Sequence, residues 1–277
     1  MMKEPSRTAL ATAYARAYHQ VADSPRILDD PFAVRLIGSS GEALSRAAED
    51  GRLPVAATDR RRRLFFAARA RFAEDRVAAA AARGVGQVVV LGAGLDTFGY
   101  RNTNPGLHVF EVDHPATQEW KRERLAEAEI DVPATTTLVP VDFETDDLAE
   151  SLASAGFRRD AAAVFVWLGV VYYLTPEAAR STLEYVAGQT PSTEVILDYL
   201  EPATDDAQRA RMQARAERVA AVGEPWFNFY DRDDLGALLR DLRFHDVEDL
   251  SAAELIGTYT GRTTEATSPS RILWARG

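Results

Sequence analysis

The feature that most constrains the fold is an apolar run that ends in a glycine turn. Residues 87–91 read Gln-Val-Val-Val-Leu, and Gly92, Ala93 and Gly94 follow them. A continuous apolar run of this length is typical of a parallel strand buried on both faces. A glycine turn after such a strand lets the backbone come close to a ligand, and the free amides beyond it can bind the ligand's polar groups. A tight turn selected only for steric reasons is the alternative.

Further apolar runs follow this strand at intervals that leave room for helices. They cover residues 107–112, 137–141, 163–168 and 194–199, with helical patterns at 115–129 and 175–187 between them. Alternating strands and helices predict right-handed βαβ units and a sheet covered on both faces. A helix at 232–242 and strands at 243–250 and 270–276 complete the predicted order, and residues 257–268 are expected to form a mobile loop or hairpin.

The chain is expected to divide into an N-terminal helical cap, residues 1–84, and a Rossmann-like core, residues 85–277. The first part shows helical patterns and no strong strand. A charged helix at 205–221 has little apolar periodicity, which indicates a helical insertion or lid at about 203–230. The arginine run at 60–63 precedes an alanine-rich helix and is read as a solvated helix face rather than a phosphate clamp.

Composition excludes several classes of function. The net charge of −10 argues against a nucleic-acid partner, because such proteins neutralise phosphates with a basic surface. The absence of cysteine excludes disulfides and thiolate metal sites, and no metal site is predicted. No signal peptide is recognised and no run approaches the roughly 18 apolar residues of a membrane span. We therefore expect a cytoplasmic protein without a membrane partner; its oligomeric state is not predicted.

Acidic residues follow the second and third apolar runs. Glu111 and Asp113 come about 20 residues after the glycines, where a carboxylate can bind ribose hydroxyls. Asp113 could instead cap the next helix, and Glu111 could face solvent. Asp142 could accept a hydrogen bond from an adenine amino group and Phe143 could stack on the base, although Asp142 could equally be an ordinary turn residue.

The glycine turn favours S-adenosylmethionine (SAM) over a dinucleotide. The third glycine of the dinucleotide motif would fall at position 97, which is Thr97. The tyrosine and lysine four residues apart that short-chain dehydrogenases use are also missing. Both absences favour SAM as the cofactor.

At this point the sequence resembles the leucine carboxyl methyltransferase family, in its bacterial branch of SAM-dependent enzymes that includes those of secondary metabolism. The resemblance runs from about residue 8 to residue 200. It is carried by residues 26–33 (Arg-Ile-Leu-Asp-Asp-Pro-Phe-Ala), 68–72, 91–97 (Leu-Gly-Ala-Gly-Leu-Asp-Thr), 110–115 (Phe-Glu-Val-Asp-His-Pro), 139–142 and 167–177. It implies an α/β fold of the class I methyltransferase type, with seven strands of which the last is antiparallel.

The resemblance also implies roles for individual residues. Arg69 would hold the carboxylate of the methionine part of SAM, a pairing that suits a guanidinium. Gly92, Ala93 and Gly94 would approach the same part, Asp113 becomes the better ribose candidate than Glu111, and Asp142 is the adenine candidate.

Two departures from the family pattern bear on the acceptor. Leu168 stands where many members carry a glutamate, so a contact made by that carboxylate is absent or moved. No lysine at residues 14–19 matches the one used by the protein-methylating branch, so methylation of a protein C-terminus is not expected.

Aromatic residues gather at the expected strand ends and after the lid helix, and they predict a pocket for a flat acceptor. The candidates are Tyr14, Tyr172, Tyr199, Trp226, Phe229 and Tyr230. Ordinary core packing is the alternative for many of them. Tyr18 and His19, on the first helix, are the candidates for a catalytic role, with His19 as a titratable helper.

These patterns predict methyl transfer from SAM to a small, aromatic secondary metabolite. Methylation of a carboxyl or hydroxyl oxygen is the default, and methylation of carbon in an electron-rich ring such as indole is the alternative. A SAM-binding protein without activity and an NAD-dependent oxidoreductase are the alternatives from other classes.

Overall fold

The computed structural model describes residues 6–143, 145–190, 192–221, 223–262 and 268–277. Seven strands in the described residues form one sheet. They are β1 (Gln87–Leu91), β2 (His108–Asp113), β3 (Thr136–Pro140), β4 (Ala163–Trp167), β5 (Glu194–Leu200), β6 (Asp246–Ser251) and β7 (Ser270–Arg276).

The strand order is β3-β2-β1-β4-β5-β7-β6. β7 runs antiparallel to both β5 and β6, while the pairs among β1 to β5 are parallel. The predicted seven-stranded sheet with an antiparallel last strand is therefore confirmed. The chain changes direction across the sheet between β1 and β4, and open α/β sheets bind ligands beside the carboxyl ends of the strands at such a point.

Helices precede the sheet and cover both of its faces. Before β1 lie α1 (Arg7–Ala22), α2 (Ala33–Leu36), α3 (Gly41–Glu49), α4 (Val55–Thr58) and α5 (Arg60–Ala82). Among and after the strands lie α6 (Phe98–Arg101), α7 (Pro115–Glu127), α8 (Leu148–Ser154), α9 (Pro176–Ala187), α10 (Asp206–Ala220), α11 (Arg232–Asp241) and α12 (Ala252–Thr260). In the part of the chain that the structure describes, none of these helices has the length and hydropathy of a membrane span.

The period of two along β1 distributes its side chains between two hydrophobic layers. Val88 and Val90 pack into the layer that contains α1, α5 and α12, whereas Val89 and Leu91 pack into the layer of α8, α9 and α11. Because α1 and α5 share one hydrophobic cluster with the sheet, the division into a cap and a core stays a prediction.

Two local expectations were wrong near the end of the chain. Residues 257–260 belong to α12 rather than to a loop, because a capping box of Ser251 and Glu254 starts this helix and Leu255 and Ile256 are buried. Residues 263–267 of the predicted loop lie outside the described residues. The strand predicted at 243–250 begins only at Asp246, since Arg243 has a φ of +68° in the preceding turn.

The arginine run at the start of α5 is not a uniformly solvated face. Arg63 is buried, with its Nε 2.7 Å from Asp23 Oδ2 and its Nη1 2.6 Å from the carbonyl oxygen of Ala57. This arginine therefore anchors α5 to the end of α1 and to α4.

Candidate functional site

A cavity of about 750 Å³ opens at the carboxyl ends of β1, β2 and β4. Its volume lies within the range of small-molecule sites. Its walls come from α1, α5, α10, the three strand ends, and the segment 223–227 that follows α10. The described structure thus places a ligand-sized cavity at the point where the strand order reverses.

The glycine turn forms the floor of this cavity. Gly92 and Gly94 have φ values of +65° and +46°, and a Cβ atom on Gly92 would clash with Val170 Cγ2. The amides of Gly92 and Ala93 both donate to the carbonyl oxygen of Val112, at 2.8 and 3.0 Å. The backbone is held in a conformation that favours glycine, and Val170 occupies the space that a side chain on Gly92 would need.

Asp113 lies beside this turn and lines the cavity. Its Oδ2 accepts a hydrogen bond from the Gly94 amide at 2.5 Å, and its Oδ1 accepts one from the His114 amide at 2.7 Å. Burial raises the pKa of this carboxyl, and the two amides oppose that effect. The N-cap of α7 is His114, not Asp113. The remaining lone pairs of the carboxylate can therefore accept hydrogen bonds from a ligand.

Glu111 is not at the site, which corrects its prediction as a ribose ligand. Its side chain is fully buried and bonds Tyr100 Oη at 2.8 Å and Lys121 Nζ at 2.6 Å. Burial raises its pKa, and Lys121 opposes the shift. Glu111 and Asp113 share a face of β2, but Glu111 comes two residues before the strand end and is enclosed in the protein.

Arg69 lines the cavity from α5. Its Nη1 lies 2.5 Å from Asp198 Oδ2, and Asp198 Oδ1 accepts a hydrogen bond from the Gly169 amide at 2.5 Å. Burial works against the charged guanidinium, but Asp198 and Tyr172 outweigh it and raise the pKa of Arg69. The guanidinium also lies 4.6 Å from the centre of the Phe66 ring. Arg69 therefore lines the same cavity as the glycine turn and forms a buried ion pair with Asp198.

Asp198 was not among the site residues predicted from the sequence. It sits inside the apolar run at 194–199, where an unpaired carboxylate would be costly to bury. That position was the available signal, because an acidic residue within a buried strand requires a cationic or hydrogen-bonding partner.

Of the other residues considered for the cofactor site, Phe143 and Leu168 line the cavity. Asp142 is not part of the lining, and its Oδ2 lies 3.6 Å from His114 Nε2. Leu168 gives the wall beyond β4 an apolar surface.

The aromatic candidates separate into two groups. Tyr172 and Trp226 line the cavity, with ring centres 5.8 Å apart, and Tyr173 and Phe227 join them there. Tyr14, Tyr199, Phe229 and Tyr230 do not line it.

The packing explains why those four side chains are elsewhere. Tyr14 lies on the other side of α1 and packs on the helical core. Tyr199 alternates with Asp198 along β5, so it points to the opposite face and donates to Asp249 Oδ2 at 2.7 Å. Tyr230 packs against Tyr199, and Phe229 contacts Trp226 without reaching the cavity.

His19 and Tyr18 do not line the cavity either, so the catalytic role predicted for them is corrected. His19 is fully buried, its Nδ1 lies 2.9 Å from Asp23 Oδ2, and its Nε2 accepts from the Ile27 amide at 3.0 Å. The Tyr18 ring lies 5.0 Å from the guanidinium of Arg63. The contacts of both side chains connect α1 to the segments packed around it.

Arg62, Arg215 and Arg218 also line the cavity and were not predicted. Arg215 and Arg218 come from α10, which has no buried residue in its described length. The segment after α10 is tied to the start of α1, because Glu224 Oε1 accepts from the Arg7 amide at 2.9 Å and Glu224 Oε2 accepts from the Thr8 amide at 3.2 Å. No cluster of His, Cys, Asp and Glu suited to a metal ion occurs in the described ranges.

Comparisons with known proteins agree with one another. The sequence model of the family described as leucine carboxyl methyltransferase matches residues 9–187. A Bacillus subtilis protein named "Putative S-adenosyl-L-methionine-dependent methyltransferase YktD" is 30% identical over 282 residues, which span 91% of this chain and 90% of that protein. A Saccharopolyspora erythraea protein with the same description is 34% identical over 256 residues, 88% of this chain and 86% of its own length.

A solved structure is similar in fold. The crystal structure of a "putative methyltransferase" from Thermobifida fusca superposes with a TM-score of 0.57 at 17% sequence identity, covering 99% of this chain and 95% of that one. The similarity extends over the helices before β1 as well as over the sheet.

Proposed function

Because the chain belongs to the leucine carboxyl methyltransferase family and is a SAM-dependent methyltransferase, we propose that it methylates an oxygen atom of a small aromatic acceptor. The family and the cofactor expected from the sequence are confirmed, whereas the acceptor and the methylated atom are proposals. The alternatives without catalysis, or with NAD, are set aside. The resemblance to enzymes of secondary metabolism suggests a secondary metabolite as the acceptor.

The cavity has groups that complement each part of the cofactor. The methionine part of SAM carries a carboxylate, and Arg69 offers it a guanidinium in the cavity wall, held in place by the buried Asp198. Asp113 is the group for the ribose hydroxyls and Phe143 the ring for the adenine. Gly92 and Gly94 line the cavity without side chains, so the backbone of the turn itself can approach the cofactor. Bound SAM supplies an electrophilic methyl group on a sulfonium.

The observation that carries the acceptor proposal is the aromatic wall of Tyr172, Tyr173 and Trp226. The Tyr172 ring lies 4.8 Å from the Tyr173 ring and 5.8 Å from the Trp226 ring, both edge to face. Such a wall can align a flat acceptor and exclude water, which are the main requirements of an in-line displacement. Burial, followed by the charge of Asp198, raises the pKa of Tyr172, so its phenol stays neutral near pH 7 and cannot serve as a base.

Oxygen is proposed as the methylated atom from the family relationship. An ionised oxygen is already a nucleophile and needs no general base. The side chains of Asp113 and His114 are not required as bases, and each already accepts a hydrogen bond from a backbone amide. Methylation of ring carbon, as in an indole, is the second candidate, and the apolar Leu168 beside the aromatic wall favours it.

The experiment is an acceptor screen with SAM carrying a labelled methyl group. Phenols, aromatic carboxylates and indoles are matched in size, S-adenosylhomocysteine (SAH) is quantified, and mass spectrometry locates the label. We expect labelled oxygen, and we expect Trp226→Ala to lower kcat/KM for the best acceptor at least ten-fold while SAH affinity is unchanged. Phe229→Ala, outside the cavity, is the control. A label on carbon would support the second candidate. Turnover unaffected by Trp226→Ala would exclude the aromatic wall as the binding surface of the acceptor.

A further inference from the structure

Three arginine side chains stand together in the cavity wall without a carboxylate partner. Arg62 comes from α5, and Arg215 and Arg218 are three residues apart on α10, which places them on one face of that helix. No carboxylate in the described residues lies within ion-pair distance of their guanidinium groups, and Asp59 exerts its attraction on Arg62 from farther away. Arg69 differs from them, because Asp198 neutralises it.

The positive charges of these arginines repel one another. The protein around Arg215 removes part of its hydration and so lowers its pKa, and the charge of Arg62 lowers it further. Burial likewise lowers the pKa of Arg62, and Arg218 adds to the shift. Such a concentration of cations is notable in a chain with a net charge of −10. Like charges held together beside a cavity are relieved by a bound anion, which accepts charge-assisted hydrogen bonds from them.

The cofactor does not supply that anion. The proposed function assigns its single carboxylate to Arg69, of which only Nη1 is hydrogen-bonded to Asp198. The sulfonium of the cofactor is itself a cation that further arginines would repel. Arg215 instead adjoins the acceptor wall, since its guanidinium lies 4.8 Å from the centre of a Trp226 ring and interacts with Tyr172 and Tyr173. Arg215 therefore faces the part of the cavity where the proposed function places the acceptor, and Arg62 and Arg218 line the same cavity.

We propose that Arg62, Arg215 and Arg218 bind a carboxylate of the acceptor that is not itself methylated. The inference rests on the proposed function and narrows it to aromatic acids that carry a second, methyl-accepting atom. In methyl transfer from a sulfonium, the negative charge of a reacting carboxylate is partly neutralised in the transition state and is lost in the ester product. Arginines bound to that reacting group would stabilise the ground state more than the transition state, and would slow the reaction. A carboxylate that keeps its charge throughout carries no such penalty.

The test compares aromatic acids with their neutral amides. The probes are 4-hydroxybenzoate with 4-hydroxybenzamide, salicylate with salicylamide, and indole-3-acetate with indole-3-acetamide, each titrated by calorimetry into the full-length protein saturated with SAH. We expect at least one acid to bind ten-fold or more tighter than its amide, as the loss of a charged partner predicts. In Arg215→Gln we expect that preference to fall to less than two-fold. SAH affinity should stay within two-fold, and Arg211→Gln, on the exposed part of the same helix, should behave as the parent.

The outcomes separate this inference from the proposed function. Equal binding of acids and amides, binding of none of the acids, or an acid preference that survives Arg215→Gln would overturn the inference while leaving methyl transfer intact. Loss of SAH binding in Arg215→Gln would also overturn it, because the arginines would then serve the cofactor. Failure of the parent protein to form SAH with any acceptor in the labelled screen would instead contradict the proposed function.

Discussion

At the scale of single residues, the buried ion pair of Arg69 and Asp198 contributes both to the stability of the fold and to the wall of the cavity. It connects α5 to β5 and, through the Gly169 amide, to the loop after β4. A Cβ atom on Gly169, whose φ is +79°, would come within 3.1 Å of Arg69 Nη2, so the loop packs directly on the guanidinium. Loss of either charge should therefore affect folding as well as the cofactor.

Arg69→Met should remove cofactor binding and destabilise the fold, because it leaves Asp198 buried without its cation. The expected loss is about 3–5 kcal/mol of unfolding free energy, measured by urea denaturation. The double variant Arg69→Met/Asp198→Asn should recover most of that stability and still fail to bind SAH in calorimetry. Binding of SAH by the double variant at the parent affinity would show that this pair is structural only.

Asp23 predicts a specific dependence of stability on pH. Burial favours its neutral form, but hydrogen bonds with His19 and Arg63 outweigh burial and hold its pKa well below the ordinary value of 3.8. The stabilisation is therefore fully present above about pH 4 and is lost as the pH falls further towards the folded-state pKa. Asp23→Asn should be less stable than the parent at pH 7, and the difference should shrink between pH 4 and pH 2 in urea unfolding. A difference that stays constant over that interval would contradict the prediction.

Among the local elements, the turn after β1 requires glycine for reasons of conformation and space. Gly92→Ala should cost about 1–3 kcal/mol of stability from backbone strain, and should raise the Kd for SAH at least ten-fold. Gly236→Ala is the matched control, because nothing lies within 4 Å of a Cβ atom there and the residue is inside α11. That control should stabilise by about 0.5–1 kcal/mol and leave SAH binding unchanged. Normal affinity in Gly92→Ala would mean that the turn does not approach the cofactor.

Helix α10 is the least anchored wall of the cavity. It buries no described residue, and the segment after it is held by the Glu224 carboxylate on the first amides of α1. Glu224→Gln should weaken this attachment, so the amides of α10 should exchange hydrogen several-fold faster. The KM for the acceptor should rise more than the Kd for SAH. Glu217→Gln, at an exposed position of α10, is the control. Equal rates of amide hydrogen exchange in the two variants would show that Glu224 does not hold α10 in place.

At the scale of the whole molecule, the cavity joins the N-terminal helices to the sheet. Its walls come from α1 and α5 as well as from the ends of β1, β2 and β4, so a ligand there contacts parts of the chain that are far apart in sequence. SAH at 100 times its Kd should therefore stabilise the folded protein by about 2.7 kcal/mol, seen as a higher Tm in scanning calorimetry. NAD at the same concentration should leave the Tm unchanged, and an equal shift with NAD would contradict the cofactor assignment.

The amino-acid sequence by itself determined the sheet, the glycine turn and the position of Asp113. Apolar runs, glycine positions and the spacing between them are local properties, so they indicate buried strands and turns without knowledge of the elements that pack against them. The tertiary structure alone decided which side chains face the cavity. It enclosed Glu111 two residues before a strand end, put Tyr199 on the face opposite Asp198, and buried His19 among backbone amides. It also brought Arg62 beside Arg215 from a distant part of the chain. The reason is that a residue's neighbours across packed helices and strands depend on how whole elements dock, and no local pattern in the sequence records that contact.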